Sequence, residues 1–268
     1  MRAIKLVVSD IDGTLIRRGE PFPQAVKEVV KELKKRGIAF TFASGRLPYM
    51  ISPFMEEMEL DAPVCACNGT LLYQGSQIIE HHPVKLALLK DLMEAALSMG
   101  MTVLYAIDGI EYCLEENEAV KRKRKERGSY HKIRGISNGE WESLEVDKVN
   151  ILDENRLTSK LIPWEDPLAG ICDITHYGDS GIEIVAAGYG KQYGLSRLAE
   201  IMDVSPDQIL AIGDNENDNE MIKFAGVGGV VANGIPETKA CADIVAEQES
   251  GEGVAEIIRR VCLQEEKK

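Results

Sequence analysis

Asp10 and Asp12 stand one residue apart at the end of the apolar run Leu6-Val7-Val8 and are followed by Gly13 and Thr14. Far along the chain a second apolar run, residues 209–212, ends in Gly213-Asp214-Asn215-Glu216-Asn217-Asp218. If the two runs are neighbouring strands, Asp10, Asp12, Asp214 and Asp218 converge. Two unit charges about 4 Å apart repel by ~4 kcal/mol at an effective dielectric of about 20, so a cluster of this kind requires a cation. Donors that are all oxygen, with no histidine or cysteine in the motifs, favour Mg2+ over zinc or copper. A calcium loop also begins Asp-x-Asp, but it needs glycine sixth and glutamate twelfth. Counted from Asp10 those places hold Leu15 and Pro21, and the twelfth residue from Asp214 is Ala225. A nucleotide P-loop fails as well, because Gly190-Lys191 is followed by Gln192 and the position that requires its first glycine is Val185.

Two further places carry groups suited to an anion. Ser44-Gly45-Arg46 ends a strand pattern over residues 38–43 and precedes a helical pattern over 47–58. Ser44 and the backbone N–H groups from Gly45 onward would then face an anion at a helix N-terminus, although Ser44 alone would be an ordinary N-cap. Lys191 follows directly after a long segment of different texture. With Mg2+, these groups suit phosphoryl transfer. Asp10 would attack phosphorus and form an aspartyl-phosphate. Asp12 would protonate the leaving oxygen and then deprotonate the hydrolytic water. Ser44 and Lys191 would hold the phosphoryl oxygens.

The elements that must position these groups alternate. A strand over the first apolar run is followed by a helix that opens near Pro23, with Val26, Val29, Val30 and Leu33 at helical spacing and Gly37 at its end. Strand 38–43, helix 47–58 and strand 63–66 follow, then a hairpin over 71–80 turning at Gln74-Gly75. Strand, helix, strand, helix, strand implies a parallel sheet with helices on both faces, and in such a sheet ligands bind at the C-terminal ends of the strands. From Pro83 the pattern becomes one long helix over 84–99, a hairpin turning at Asp108-Gly109, a basic run over 121–127, and strands at 146–152, 171–177 and 182–186 with a short helix near 157–162. The alternating pattern resumes with a helix over 193–202. The expected fold is therefore α/β, a doubly wound parallel-sheet core interrupted by an inserted α+β domain. The boundaries fall at residues 1–81 and 189–268 for the core and 82–188 for the insertion.

Composition limits the partners. A formal charge of −13 over 268 residues disfavours a nucleic-acid surface. The six cysteines are scattered without a C-x-x-C pair, which fits a reduced cytoplasm, and neither a signal peptide nor a membrane-length apolar stretch is read from the sequence. The basic run from Lys121 through Arg127 is expected to be a solvated helix face. Tyr105, Tyr112, Tyr130 and Tyr177 could be core or pocket residues.

The motifs resemble those of the haloacid dehalogenase-like (HAD) hydrolases, and within them the Cof-type phosphatases with a C2B cap. Asp10-Ile-Asp-Gly-Thr-Leu is similar to the family's first motif, Ser44-Gly-Arg to its second, Lys191 to its third and Gly213-Asp-Asn-Glu-Asn-Asp to its fourth. Asn68-Gly69 and Asn233 extend the resemblance over nearly the whole chain. It departs at Lys191, where the usual Lys-Gly is replaced by Lys191-Gln192, and in the altered glycine-rich segment from Gly226 to Asn233.

The resemblance implies Mg2+ held by the Asp10 side chain, the Asp12 backbone carbonyl and Asp214. It implies that Asn217 meets the substrate phosphate, that Asp218 orients Lys191 or a water, and that Ser44, Gly45 and Thr14 complete the site. The expected activity is Mg2+-dependent hydrolysis of small phosphate monoesters, sugar phosphates first. The inserted cap is expected to select the leaving group, and the protein to be a monomer or homodimer acting on a small phosphorylated metabolite, without nucleic-acid or membrane partners. A phosphomutase using the same intermediate is the rival among enzymes. A metal-binding regulatory module is the rival of another class, and it has no need of Asp12.

Overall fold

The run Leu6-Val7-Val8 is apolar and rich in β-branched residues, and in the computed structural model it forms β1 (Leu6–Ser9), buried along its whole length. The structure describes residues 3–17, 20–127 and 131–264. Tyr130 lies outside these, as does the side chain of Arg127. The chain divides into two compact units, one built of the residues through Glu80 together with those from Tyr189 onward, the other of His81–Gly188.

In the first unit, α1 (Gln24–Lys35) follows Pro23 and buries Val26, Val29, Val30 and Leu33, the stripe that its spacing gives. It stops at Gly37, whose left-handed backbone (φ 71°) lets the Gly37 N–H reach the Lys34 carbonyl at 3.0 Å and the Ile38 N–H reach Leu33 at 3.0 Å. Then come β2 (Ala39–Phe42), α2 (Pro48–Glu57) with proline as its first residue, β3 (Val64–Ala66), β4 (Leu71–Gln74) and β5 (Gln77–His81).

The second unit opens with β6 (Val84–Lys85) and α3 (Leu86–Ser98), so the expected helix over 84–99 begins two residues later than its pattern suggests. After β7 (Thr102–Ile107) and β8 (Ile110–Cys113) the basic run forms α4 (Glu118–Arg127). Its cations pair with nearby acids, Lys121 with Glu118, Arg122 with Glu154 and Arg124 with Glu116. Val120 on the same helix is buried with Leu104 and Cys113. The run is thus an ion-paired helix face over a small apolar cluster.

Next are β9 (Lys132–Ile133), α5 (Asn138–Ser143), β10 (Glu145–Val146), β11 (Lys148–Leu152), α6 (Ile162–Glu165), β12 (Cys172–His176) and β13 (Gly181–Ala186). The expected single strand over 146–152 is broken at Asp147, whose carboxylate accepts the Gly109 N–H and bonds the His81 ring, each at 2.7 Å. β10 pairs with β6, while the six-stranded sheet runs β12-β13-β11-β7-β8-β9. One face of that sheet is apolar, with Val103, Tyr105, Val149, Ile151, Ile182 and Ile184 in register across three strands. Tyr105 is therefore a core residue, whereas Tyr177 is half exposed.

The first unit resumes with α7 (Lys191–Ile201), β14 (Ile209–Gly213), α8 (Asn219–Phe224), β15 (Val227–Val230), α9 (Pro236–Lys239), β16 (Ile244–Val245) and α10 (Ser250–Cys262). Its main sheet has the order β16-β15-β14-β1-β2, and every pairing in it is parallel. Leu195 and Leu198 of α7 and Met221 and Ile222 of α8 pack with Leu6, Val8, Ile209 and Ala211 on one face. α1 and α10 pack together, against β2 and β15 respectively. The fold is a doubly wound α/β core with an α+β insertion.

Candidate active site

The register of the central strands decides where the acids go. β1 lies between β14 and β2, with Ser9 opposite Ile212 on one side and Phe42 on the other. Parallel strands in register end together, so Asp10, Asp214 and the Ser44 loop emerge at one edge of the sheet. The Asp10 N–H donates to the Ile212 carbonyl at 2.9 Å, which carries the ladder one residue into the loop.

Lys191 is the first residue of α7 and is almost fully buried. Its ammonium donates to Asp10 Oδ1 and to Asp218 Oδ1, both at 2.7 Å. α7 can come this close because Gly194, one turn on, packs against Cys65 of β3, and a Cβ there would collide with the Cys65 sulfur. Asp218 is fully buried and fully engaged. Its Oδ2 accepts the N–H groups of Asp214 at 2.9 Å and Asn215 at 3.1 Å. Thr14, also buried, donates its hydroxyl to Asp214 Oδ1 at 2.6 Å.

One oxygen each from Asp10, Asp214 and Asp218 lie within 4.8 Å of one another. Among the described residues Lys191 is the ammonium that reaches this group, and the electrostatics register the excess of negative charge. Burial pushes the Asp10 carboxyl up to about 7 despite the pull of Lys191, and Asp218 and Asp214 add to the rise. Asp214 is pushed up to about 6, again mainly by burial, with Asp218 and Asp12 adding and the Thr14 hydrogen bond opposing. Burial disfavours the Lys191 ammonium, but Asp10 and Asp218 outweigh it and raise its pKa above the ordinary lysine value. Hard oxygen donors with unbalanced negative charge fit a divalent cation such as Mg2+. Asp218 already accepts from Lys191 and two backbone N–H groups, whereas Asp10 accepts from Lys191 and Asp214 from Thr14, so these two carboxylates keep more of their oxygen lone pairs open to a cation.

These shifts fix the sign of a pH effect on the cation-free chain. Carboxyls raised from 3.8 to about 7 and about 6 bind protons more tightly in the folded than in the unfolded state. The folded chain therefore holds more protons across that interval, and stability should fall as pH rises through it. In chelator, Tm is expected to be lower at about pH 7.5 than at about pH 5 beyond the drift of an Asp10→Asn variant, and added Mg2+ should remove the difference. A Tm difference equal to the variant's would contradict the assignment.

The other expected residues sit around this centre. Asp12 is half exposed, and its side chain lies outside the three-carboxylate group. Arg46 holds it with a two-pronged contact, Nε to Oδ2 and Nη2 to Oδ1, both at 2.7 Å. Ser44 is buried, and its hydroxyl accepts the Arg46 N–H at 3.3 Å. Gly45 lies against the Asn68 amide, which a Cβ at residue 45 would approach to 3.1–3.2 Å. Asn217 donates from Nδ2 to Asn68 Oδ1 at 3.3 Å. Asn233 bonds the Gly13 carbonyl at 2.8 Å and accepts the Ser250 N–H at 2.8 Å, bracing the loop after β1. The pairing of Arg46 with Asp12 escaped the sequence reading. An arginine two residues after Ser44 was visible, but nothing local says which acid it meets.

The comparisons agree with this architecture. Residues 7–258 match the haloacid dehalogenase-like hydrolase family. The chain belongs to that family. It is 25% identical over 265 residues to the 5-amino-6-(5-phospho-D-ribitylamino)uracil phosphatase YitU of Bacillus subtilis (strain 168), covering 95% of this chain and 96% of that one. It is 22% identical over 272 residues to the pyridoxal phosphate phosphatase YbhA of Escherichia coli (strain K12), covering 95% and 97%. Among solved structures, a haloacid dehalogenase-like hydrolase from Bacteroides thetaiotaomicron superposes with a TM-score of 0.80 at 27% identity, over 96% of this chain and 99% of that one.

Proposed function

We propose that this protein is a Mg2+-dependent phosphatase that hydrolyses small phosphate monoesters, sugar and polyol phosphates foremost, through an aspartyl-phosphate on Asp10. The observation that carries this reading is the meeting of Asp10, Asp214 and Lys191 at the ends of β1 and β14 and the start of α7. Two relatives, YitU and YbhA, are named for small phosphorylated molecules, one bearing a phosphoribityl group.

The Asp10 carboxylate attacks phosphorus, the ester P–O bond breaks, and Asp12 delivers a proton to the departing alkoxide. Water then attacks the same phosphorus, Asp12 takes its proton, and the aspartyl P–O bond breaks to restore Asp10 and release inorganic phosphate. Ser44, the backbone N–H of Gly45 and Asn217 bind the phosphoryl oxygens, and Lys191 balances their charge. The Asp10 and Asp214 side chains and the Asp12 carbonyl would hold Mg2+, which when bound would supply further positive charge. Thr14 orients Asp214 and Asp218 orients Lys191. Arg46 donates to both oxygens of Asp12 and so sets the direction of the carboxyl that serves the leaving group.

The experiment is phosphate release from a panel of sugar, polyol and cofactor phosphates, with Mg2+ and with chelator. Release that needs Mg2+ and is fastest with sugar or polyol phosphates is expected. No release from any ester in Mg2+ would refute the proposal, and return of the phosphoryl group to another hydroxyl of the substrate would favour a mutase.

A further inference from the structure

Asn68 is not among the residues given a task above, yet its surroundings are built around it. It follows β3 in a turn where Cys67 (φ 49°) and Asn68 (φ 54°, ψ 29°) both take the left-handed backbone and Gly69 comes next at φ 105°. Two consecutive non-glycine residues in that region are strained, and such strain persists only where the surroundings over-determine it. Here they do. The Cys67 N–H donates to the Arg46 carbonyl and the Asn68 N–H to the Ser44 carbonyl, both at 3.0 Å. On the other side Gly69 lies so close to the carbonyls of Tyr189 and Gly190 that any Cβ would collide with them. The turn is thus fastened both to the Ser44 loop and to the residues that lead into Lys191.

Glycine would satisfy a left-handed backbone at residue 68 without strain, so what asparagine adds is its amide. That amide faces Gly45, and its Oδ1 accepts one N–H of Asn217. Asn217 is an exposed side chain on a single 3-10 turn, Glu216–Asp218, and its amide would otherwise rotate. A hydrogen bond from one N–H restricts the rotation of a primary amide and so biases the direction of its other N–H.

We infer that Asn68 is a positioning residue that aims the Asn217 amide at the substrate's phosphoryl group. The inference rests on the proposed role of Asn217 and goes beyond it by assigning that role a support from β3. Backbone strain at residue 68 is then accepted for the sake of substrate binding.

The test compares Asn68→Gly, Asn217→Ala and the double variant, reading Tm and the kcat/KM for a sugar phosphate in Mg2+. Asn68→Gly should keep Tm close to that of the unaltered chain because glycine suits the backbone. Its kcat/KM should fall about tenfold, the loss expected for one hydrogen bond made without direction, mostly through KM. Asn217→Ala should lose about as much, and the double variant no more than Asn217→Ala alone, since the two act as one unit.

An Asn68→Gly variant with unchanged kcat/KM would overturn the inference. So would losses that multiply in the double variant, an Asn217→Ala variant that loses nothing, or a fall in activity that merely follows a fall in Tm. If the unaltered chain releases no phosphate, the proposed function itself fails and this inference falls with it, an outcome distinct from all the others.

Discussion

Asp10→Asn is expected to abolish phosphate release, by at least about a thousandfold in kcat/KM or more than ~4 kcal/mol of transition-state stabilisation, while the chain stays folded. An amide of the same shape cannot serve as the nucleophile that splits the reaction in two. The fold should survive because Lys191 keeps its 2.7 Å bond to Asp218 and the repulsion that Asp214 and Asp218 exert on Asp10 is removed. Steady-state phosphate release and a thermal melt check both halves. Near-normal turnover would remove the nucleophile assignment, and a collapsed melt would show that Asp10 holds the fold together.

Lys191→Met is expected to damage stability as well as activity. Methionine fits the volume but leaves Asp10 and Asp218 buried without their ammonium. Removing one partner of a buried pair typically costs about 3–5 kcal/mol, and at roughly 2–4 °C per kcal/mol the melt should drop by about 10 °C. Asp10, which burial already raises to about 7, can escape part of that penalty by taking up a proton, so the drop should be smaller near pH 5 than near pH 8. A melt within about 2 °C of the unaltered chain at both pH values would mean that Lys191 does not balance these acids.

The sequence made the ends of the strands readable because residue type carries that information. An apolar β-branched run stopped by acids announces both strand and site, as at Val8 to Asp10 and at Ile212 to Asp214. That β1 and β14 are neighbours is written nowhere locally. Parallel pairing across some 200 residues leaves no turn signature, and adjacency could be posed only as a condition. Lys191 was visible as a residue but its helix was expected to start at 193, whereas Gly190 serves as N-cap and the helix begins at Lys191 itself. That difference brings the ammonium to the first turn of α7, beside Asp10 and Asp218.

The contacts that remained hidden are those between side chains on separate loops. Arg46 with Asp12 and Asn68 with Asn217 depend on loop conformations that hydrophobic periodicity does not encode. In the second unit, the strand expected over 146–152 reads as continuous by composition. Its break at Asp147 comes from two partners, His81 and Gly109, that lie 66 and 38 residues away. Tertiary hydrogen bonding overrides local propensity there.

Calorimetric titration of the chain with Mg2+, for the unaltered protein and for Asp214→Asn, tests most directly whether the ends of β1 and β14 form one cation site. The account predicts one Mg2+ per unaltered chain and at least tenfold weaker binding when Asp214 becomes asparagine, a loss of about 1.4 kcal/mol or more. Equal affinity in the two proteins, or no Mg2+ uptake by either, would contradict it.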